Sequence, residues 1–313
     1  MTFVDSSNAG TKFGAVLALG ALVYAGNPAI ALVVGMLISL SLNRAPLPHG
    51  STVGKYALQT AIVCLGFTLN ASELINISGT YALPVAAFVC ATLAAGLALG
   101  YLCRSEYETN ALISSGTAIC GGTTIATLSP IINARPEQTG TALCIVFLLN
   151  AIALLTFPTL GRWLDLSQEQ FGVLAALAIH DTSSVVATAQ LYGDEALAVA
   201  TTVKIGRTLW LIPLIIFASI YVGTAQTKIR IPNFVFVFIL ASVLGSWLDL
   251  SSSTVSAIGH VTGALLVGAL FFVGTDITRE TLTKLRWSAV LHGLALWGLV
   301  IPIVLIAVMA AVP

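Results

Sequence analysis

What this chain lacks first is charge. Only 13 Lys+Arg and 13 Asp+Glu occur among 313 residues, 8% in all, where a soluble globular protein carries roughly 25%. Hydrophobic residues make up 57% and mean hydropathy is +0.97. A water-facing surface cannot be assembled from that pool, which excludes a cytosolic enzyme, a secreted disulfide scaffold and a disordered tail. Net charge is zero, so there is no basic footprint for nucleic acid. The five cysteines (Cys64, Cys90, Cys103, Cys120 and Cys144) show no C-x-x-C spacing. Neither a zinc site nor a disulfide framework is expected, and the cysteines read as buried free thiols. A G-x-x-x-x-G-K-[ST] loop is missing too, so the chain carries no ATP drive of its own.

What is present is apolar length. Runs of about 15 to 25 residues suit helical spans, and not the alternating strands of about ten residues that build a membrane β-barrel. Eleven candidates follow: 12–25, 28–42, 57–69, 80–103, 109–132, 139–161, 170–192, 196–222, 232–248, 254–275 and 287–312. The leader MTFVDSSNAGTK holds one Lys and one Asp, a poor signal-peptide n-region, so the first run reads as a membrane segment. Connections numbered from zero at the N-terminus divide the cations unevenly. Even ones hold Lys12, Arg44, Lys55, Arg104, Arg162, Lys228, Arg230, Arg279, Lys284 and Arg286; odd ones hold only Arg135. Ten to one puts the N-terminus in the cytoplasm and the C-terminus outside. If spans 5 and 7 were both re-entrant hairpins, Arg135 and Arg162 would trade sides and the score would not change.

The spans group as an extra N-terminal helix and two five-span halves, 28–161 and 170–312, within one membrane domain. An odd number of spans per half inverts the second half. Ser115–Ile125 echoes Ala175–Val185 at a spacing of 60 residues, and the register continues to Thr141/Thr201 and Ile145/Ile205. A second echo pairs Gly66-Phe67-Thr68-Leu69 with Gly274-Thr275-Asp276-Ile277. The two imply different pairings of spans and cannot mark one duplication.

Ionisable side chains deep in a span cost several kcal/mol unless paired or wetted, which makes them candidates for function. His180 and Asp181 fall in the middle of span 7, followed by Thr182, Ser183 and Ser184. Lys204 and Arg207 share one face of span 8. Two cations against one carboxylate favour an anionic ligand, although Asp181 could simply neutralise a cation and lock two helices. The run Ser114–Ser129 in span 5 carries Ser115, Thr117, Cys120, Gly121, Gly122, Thr123 and Thr124. A helix broken at Gly121-Gly122 would turn free N–H groups toward an anion near the midplane; close packing of small residues is the alternative. Asn150 and Gln59 read as interhelical hydrogen-bond glue, and His260 and His292 as packing residues. His180, Asp181, Ser183 and Ser184 contain the letters of a hydrolase triad. Neighbours on a helix point about 100° apart, however, and G-x-S-x-G and H-E-x-x-H are absent, so no enzyme activity is expected.

Gly66-Phe67-Thr68-Leu69, Ser115–Gly122, His180–Ala187 and Lys204-x-x-Arg207, in this order, resemble the sulfate exporter family of bacterial inner-membrane proteins. The resemblance covers essentially the whole chain. It implies kinship by fold with the bile-acid:sodium symporter and cation:proton antiporter superfamily, an inverted-repeat core with broken crossing helices, and elevator-type movement. Analogy with such transporters points to a homodimer. In that arrangement spans 5 and 10 would cross, leaving His180 and Asp181 outside the crossing pair. The expected activity is secondary active transport of a small anion such as sulfate, sulfite or a sulfonate. Ser115, Thr117, Cys120, Gly121, Gly122, Thr123, Thr124, Lys204 and Arg207 would hold the substrate; His180, Asp181, Ser183 and Ser184 would serve coupling or gating. Na⁺ or H⁺ would be the coupling ion, with no other cofactor or metal, and the bilayer and the anion would be the partners. The alternative is a sodium/proton-type cation antiporter, which needs a carboxylate free of Lys204 and Arg207. With the anion held by that pair, Arg207→Ala is expected to abolish binding in a folded protein.

Overall fold

The computed structural model describes residues 6–47, 49–68, 71–222, 233–248, 250–283 and 285–312. Lys228, Arg230 and Lys284 of the charge count, and Leu69 of the second echo, lie outside them. The described residues form helices and no strands. The first are α1 (Ser6–Ala25), α2 (Pro28–Leu42), α3 (Gly50–Gly66), α4 (Ala71–Leu102), α5 (Tyr107–Ala118) and α6 (Gly122–Ile131). Then come α7 (Pro136–Trp163), α8 (Gln168–Ala178), α9 (Thr182–Gln190), α10 (Asp194–Leu209) and α11 (Leu211–Val222). The last are α12 (Asn233–Leu248), α13 (Ser252–Thr275), α14 (Arg279–Thr283) and α15 (Trp287–Ala311). Where described, the eleven apolar segments lie largely on helix. Among the described residues, five stretches are long and apolar enough to cross a membrane: Ile75–Leu102, Pro136–Trp163, Asp194–Val222, Ser253–Thr275 and Trp287–Ala311.

The chain forms two compact units. One comprises Met1–Ala71 and Asn233–Leu282, the other Ser72–Pro232 and Thr283–Pro313. In the first, α13 packs on α2 and α3 through missing side chains. A Cβ on Gly35 would run into the Phe271 carbonyl, and one on Gly274 into the Leu32 carbonyl. Backbones approach this closely only over small residues, the usual way apolar helices associate in lipid. Helix α2 starts sharply because Asn27 Oδ1 accepts from the Ala29 and Ile30 N–H groups at 3.0 and 3.1 Å, with Pro28 at the first turn. Span 10, expected to be one of a crossing pair, is the unbroken helix α13; the breaks fall in spans 5 and 7 instead.

The second unit holds both breaks, and each broken span turns back. Glu106, just before α5, accepts from Arg135 Nη2 at 2.8 Å and Gln138 Nε2 at 2.7 Å, both at the start of α7. A segment whose two ends share a hydrogen bond does not cross a hydrocarbon layer about 30 Å thick. Its arms, α5 and α6, are about 18 and 15 Å long, close to half that thickness. Span 7 behaves the same way at the other end of α7. Tyr192 Oη, after α9, donates to the Leu166 carbonyl at 2.6 Å before α8. Gln168 Oε1 accepts from Glu195 N and Ala196 N at 3.1 and 3.3 Å. The Phe171 and Tyr192 rings stack with centroids 3.8 Å apart. Two hairpins therefore enter from opposite ends of α7.

The mouths of the hairpins also fix which connections share a face. Glu106 binds Arg286 as well as Arg135, so Arg135 lies with the connection before α15. At the opposite mouth Glu169 accepts from Tyr81 Oη at 2.8 Å and Gln170 donates to the Val312 carbonyl at 2.8 Å. The Gln138 amide first, then the Arg135 and Arg286 guanidinium groups, holds the Glu106 carboxyl below its ordinary value. A lowered folded value means that the stabilisation is complete above the unfolded value and lost as pH falls through the folded one. The protein in detergent should thus keep its melting temperature down to about pH 5 and lose some of it below. Glu106→Gln should flatten that acid limb at a cost of about 0.5–1 kcal/mol, the pair being partly exposed. A variant with the wild-type acid limb would show that Glu106 does not hold the mouth closed.

Candidate functional site at the meeting hairpin tips

Each tip has its own local cause. In the first, Gly121 has φ +51° and ψ −116°, and Thr123 N donates to the Cys120 carbonyl at 3.3 Å. These are the marks of a type II′ turn, whose first central position takes glycine. In the second, Ile179 is extended and Asp181 caps α9, accepting from Ser183 N at 3.0 Å and from the Ser183 hydroxyl. The tips touch: a Cβ on Gly121 would sit 3.2 Å from the His180 carbonyl carbon and 3.3 Å from its Cβ. Helix bounds correspond at the 60-residue spacing. The break Ile119–Gly121 matches Ile179–Asp181, Gly122 opens α6 as Thr182 opens α9, and α7 is followed in register by α10.

Lys204 and Arg207 sit below both tips, wholly buried, and their donors face backbone. Lys204 Nζ donates to the carbonyls of Ile179 at 2.8 Å, Ile119 at 3.3 Å and Ala176 at 3.5 Å. Arg207 Nε donates to Ala118 O at 2.8 Å, and Nη1 to Ala176 O at 2.7 Å and Leu177 O at 2.8 Å. Its Nη2 reaches the Thr117 carbonyl, and its Cζ lies 4.8 Å from the Phe88 ring centroid, a cation–π contact. A helix end leaves its last carbonyls without partners, and here the account closes. On α8, Ala175 O takes Ile179 N, Trp297 Nε1 donates to Ala178 O at 3.0 Å, and the two cations take the rest. On α5, Ser115 O and Gly116 O accept from Ile119 N and Gly121 N. The cations thus satisfy the negative ends of two half-helices.

The other ends differ from each other. Helix α9 is capped by the Asp181 carboxylate, whereas α6 begins at Gly121 with no side-chain cap. Beside that open end lies a pair on α7 and the second tip. His180 N donates to Asn150 Oδ1 at 2.9 Å, and His180 Nδ1 lies 3.0 Å from the same oxygen. A backbone N–H can only donate, so the amide atom is the oxygen and Nδ1 carries the hydrogen. His180 Nε2 and Asn150 Nδ2 are buried and have no protein partner.

Of the residues expected to bind substrate, Thr117, Cys120, Gly121, Gly122, Thr124, Lys204 and Arg207 converge here with His180 and Asp181. Cys120 N and Sγ meet Thr124 Oγ1 at 3.2 and 3.1 Å, and Gly122 faces Phe147. Ser183 and Ser184 are buried at the start of α9. Ser115 bonds back to the Ala111 carbonyl at 2.6 Å, and Thr123 is exposed on the outer side of the turn. Cys120 and Cys144 are buried; Cys90 is exposed, and Cys64 and Cys103 are half-buried, so the expectation of uniformly buried thiols fails. Asn150, Trp297 and Phe88 were not picked out as site residues. An amide in the middle of an apolar helix was the available sign for Asn150; an aromatic among many gave none. His292 is tied to the Gly96 carbonyl through Nε2 at 2.9 Å.

Helices throughout the described residues, several of them fit to cross a bilayer, around wholly buried charges, define a polytopic α-helical membrane protein. The chain belongs to the family described as conserved hypothetical protein 698, whose profile matches residues 13–293. It is 38% identical to a UPF0324 membrane protein of Porphyromonas gingivalis over 279 residues, 87% of this chain and 84% of that one. A UPF0324 membrane protein of Geobacter sulfurreducens is 39% identical over 296 residues, 94% of each. One from Bacteroides thetaiotaomicron is 38% identical over 273 residues, 86% of this chain and 82% of the other. No solved structure matches significantly.

Proposed function

We propose that this protein is a secondary transporter of a small oxyanion, held where the two hairpin tips meet. The observation that carries this is a charge imbalance buried between them. The helix ends cancel, two at about −0.5 and two at about +0.5 elementary charge. Lys204 and Arg207 against Asp181 then leave one positive charge over. Lys204 and Arg207 supply field, because their donors are engaged with carbonyls; direct contacts fall to the open N-terminus of α6, with Gly122 and Thr124, and to Asn150 Nδ2. Sulfate, sulfite and sulfonates have the charge and the acceptor oxygens this arrangement suits, in keeping with the sulfate-exporter resemblance. The hairpin topology keeps the cation count at ten to one, which favours a cytoplasmic N-terminus in the plasma membrane.

The test is a thermal-shift screen in detergent against sulfate, sulfite, thiosulfate, methanesulfonate and short carboxylates, with and without sodium. A ligand that binds only the folded state raises the melting temperature, by an amount equivalent to about 2.7 kcal/mol at a hundred times its Kd. Selective stabilisation by one oxyanion is expected. Stabilisation by sodium alone, with no anion acting, would overturn the assignment in favour of a cation antiporter using Asp181.

A further inference from the structure

The buried pair His180–Asn150 offers more than a place for an anion. Asn150 Oδ1 receives both the backbone N–H and the ring Nδ1–H of His180. The neutral ring therefore has its lone pair on Nε2, and that atom is buried with no donor facing it. On its own the pair presents one acceptor and one amide donor, Asn150 Nδ2, side by side. A fully deprotonated oxyanion such as sulfate has nothing to give an acceptor, so the neutral ring and the anion repel at close range. A proton on Nε2 reverses this, turning the one unsuitable atom into a charge-assisted donor.

The surroundings make the two events depend on each other. The ionisable groups packed round His180 are Asp181 on its own tip, Cys120 on the facing tip, and Lys204 and Arg207 on α10. Asn150 faces it from α7, and Trp297 from α15 bonds the carbonyl two residues before it. Lys204 holds the carbonyl of Ile179, the residue next to His180. Imidazolium here would be a third positive charge against one carboxylate, unfavourable at low dielectric unless a counter-charge arrives. The anion is that counter-charge. A dianion with a proton on His180 leaves the site as close to neutral as a monoanion does without one.

We infer that His180 takes up a proton from water on Nε2 as the anion binds, so that anion and proton occupy the site together and H⁺ is the coupling ion. This rests on the oxyanion assignment above. By linkage, affinity for sulfate rises as pH falls, by up to tenfold per unit while Nε2 is unprotonated in the free protein. Sodium has no part in it.

Isothermal titration of the purified protein with sulfate, in two cationic buffers of different ionisation enthalpy, counts the protons. About one proton taken up per sulfate is expected. In His180→Asn, whose amide can still donate to Asn150 Oδ1, binding should weaken and lose both proton uptake and pH dependence. Asp181→Asn, which removes the carboxylate next to His180, should reduce the uptake without abolishing it. Sulfate binding without proton uptake in the wild type overturns the inference and leaves the oxyanion assignment standing. Uptake that persists in His180→Asn and vanishes in Asp181→Asn moves the proton to Asp181 and overturns it too. Failure of sulfate, sulfite and methanesulfonate alike to bind overturns both. Should His180→Asn fail to fold, ¹⁵N-histidine spectra of the wild type decide: an imidazolium signal appearing on sulfate addition supports the inference, and an unchanged neutral Nδ1–H tautomer refutes it.

Discussion

Arg207→Met should leave little folded protein to assay. The wild-type guanidinium is fully buried and closes the carbonyl ends of two half-helices at once, Thr117 and Ala118 on one side and Ala176 and Leu177 on the other. Methionine fills much of the volume and donates nothing, so the buried carbonyls of Thr117, Ala118 and Leu177 lose their partner and Ala176 keeps only the 3.5 Å contact from Lys204. Each unmade bond costs about 1–3 kcal/mol, and the sum approaches a whole domain stability of about 5–15 kcal/mol. Arg207→Lys keeps the charge but is a point donor on a flexible stem, without the planar fork that reaches both tips, so partial loss is expected. The measurement is the monodisperse fraction on size-exclusion chromatography of detergent extracts. The expectation drawn from sequence, a folded Arg207→Ala that no longer binds anion, is thereby replaced: the loss should strike folding before binding. A monodisperse Arg207→Met with wild-type melting temperature would show that the carbonyls find other partners.

Gly121→Ala should cost about 2–4 kcal/mol, a large effect for one methyl group. Its φ of +51° with ψ of −116° is a glycine conformation. The added Cβ would also meet Val146 Cγ1 at 3.1 Å and the His180 carbonyl carbon at 3.2 Å. Both tips would have to part. The expected result is a lower melting temperature together with loss of any oxyanion-induced shift. Gly140→Ala is the natural control, since nothing lies within 4 Å of its added Cβ and its place within α7 suits alanine. Equal behaviour of the two variants would mean that the tip is not tightly built.

The sequence carried much of this. Low charge and long apolar runs located the apolar helices, because hydrocarbon permits few other structures; the short polar α14 lay outside them. Gly121-Gly122 marked the first break; His180 and Asp181, which in the sequence read as neighbours on one helix, form the second break instead, in correspondence with the first at the 60-residue spacing of the echo. Direction of travel was not legible. A hairpin of two half-length helices and one full span have the same composition and hydropathy, and the cation count is the same for both. Glu106 decides it, through partners 29 and 180 residues away, and no local pattern encodes that pairing. The expected crossing of spans 5 and 10 failed for a similar reason: span 10 is rich in glycine, but Gly274 is used for close packing against α2 and not for a break. The cationic face of α10 was read correctly as buried charge. Its acceptors were not, because backbone carbonyls leave no trace in a residue string, and a half-helix end draws a cation as surely as a ligand does.

The shared guanidinium has a mechanical consequence. Both tips are pinned to one point on α10, so neither can swing aside alone without stripping Arg207 of acceptors buried away from water. The two tips and this stretch of α10 therefore form one block, in which the movement of one tip is tied to that of the other. Under the proposed transport, access from either side would then require displacement of that block as a whole, with the half-helices as its floor and ceiling and not as doors.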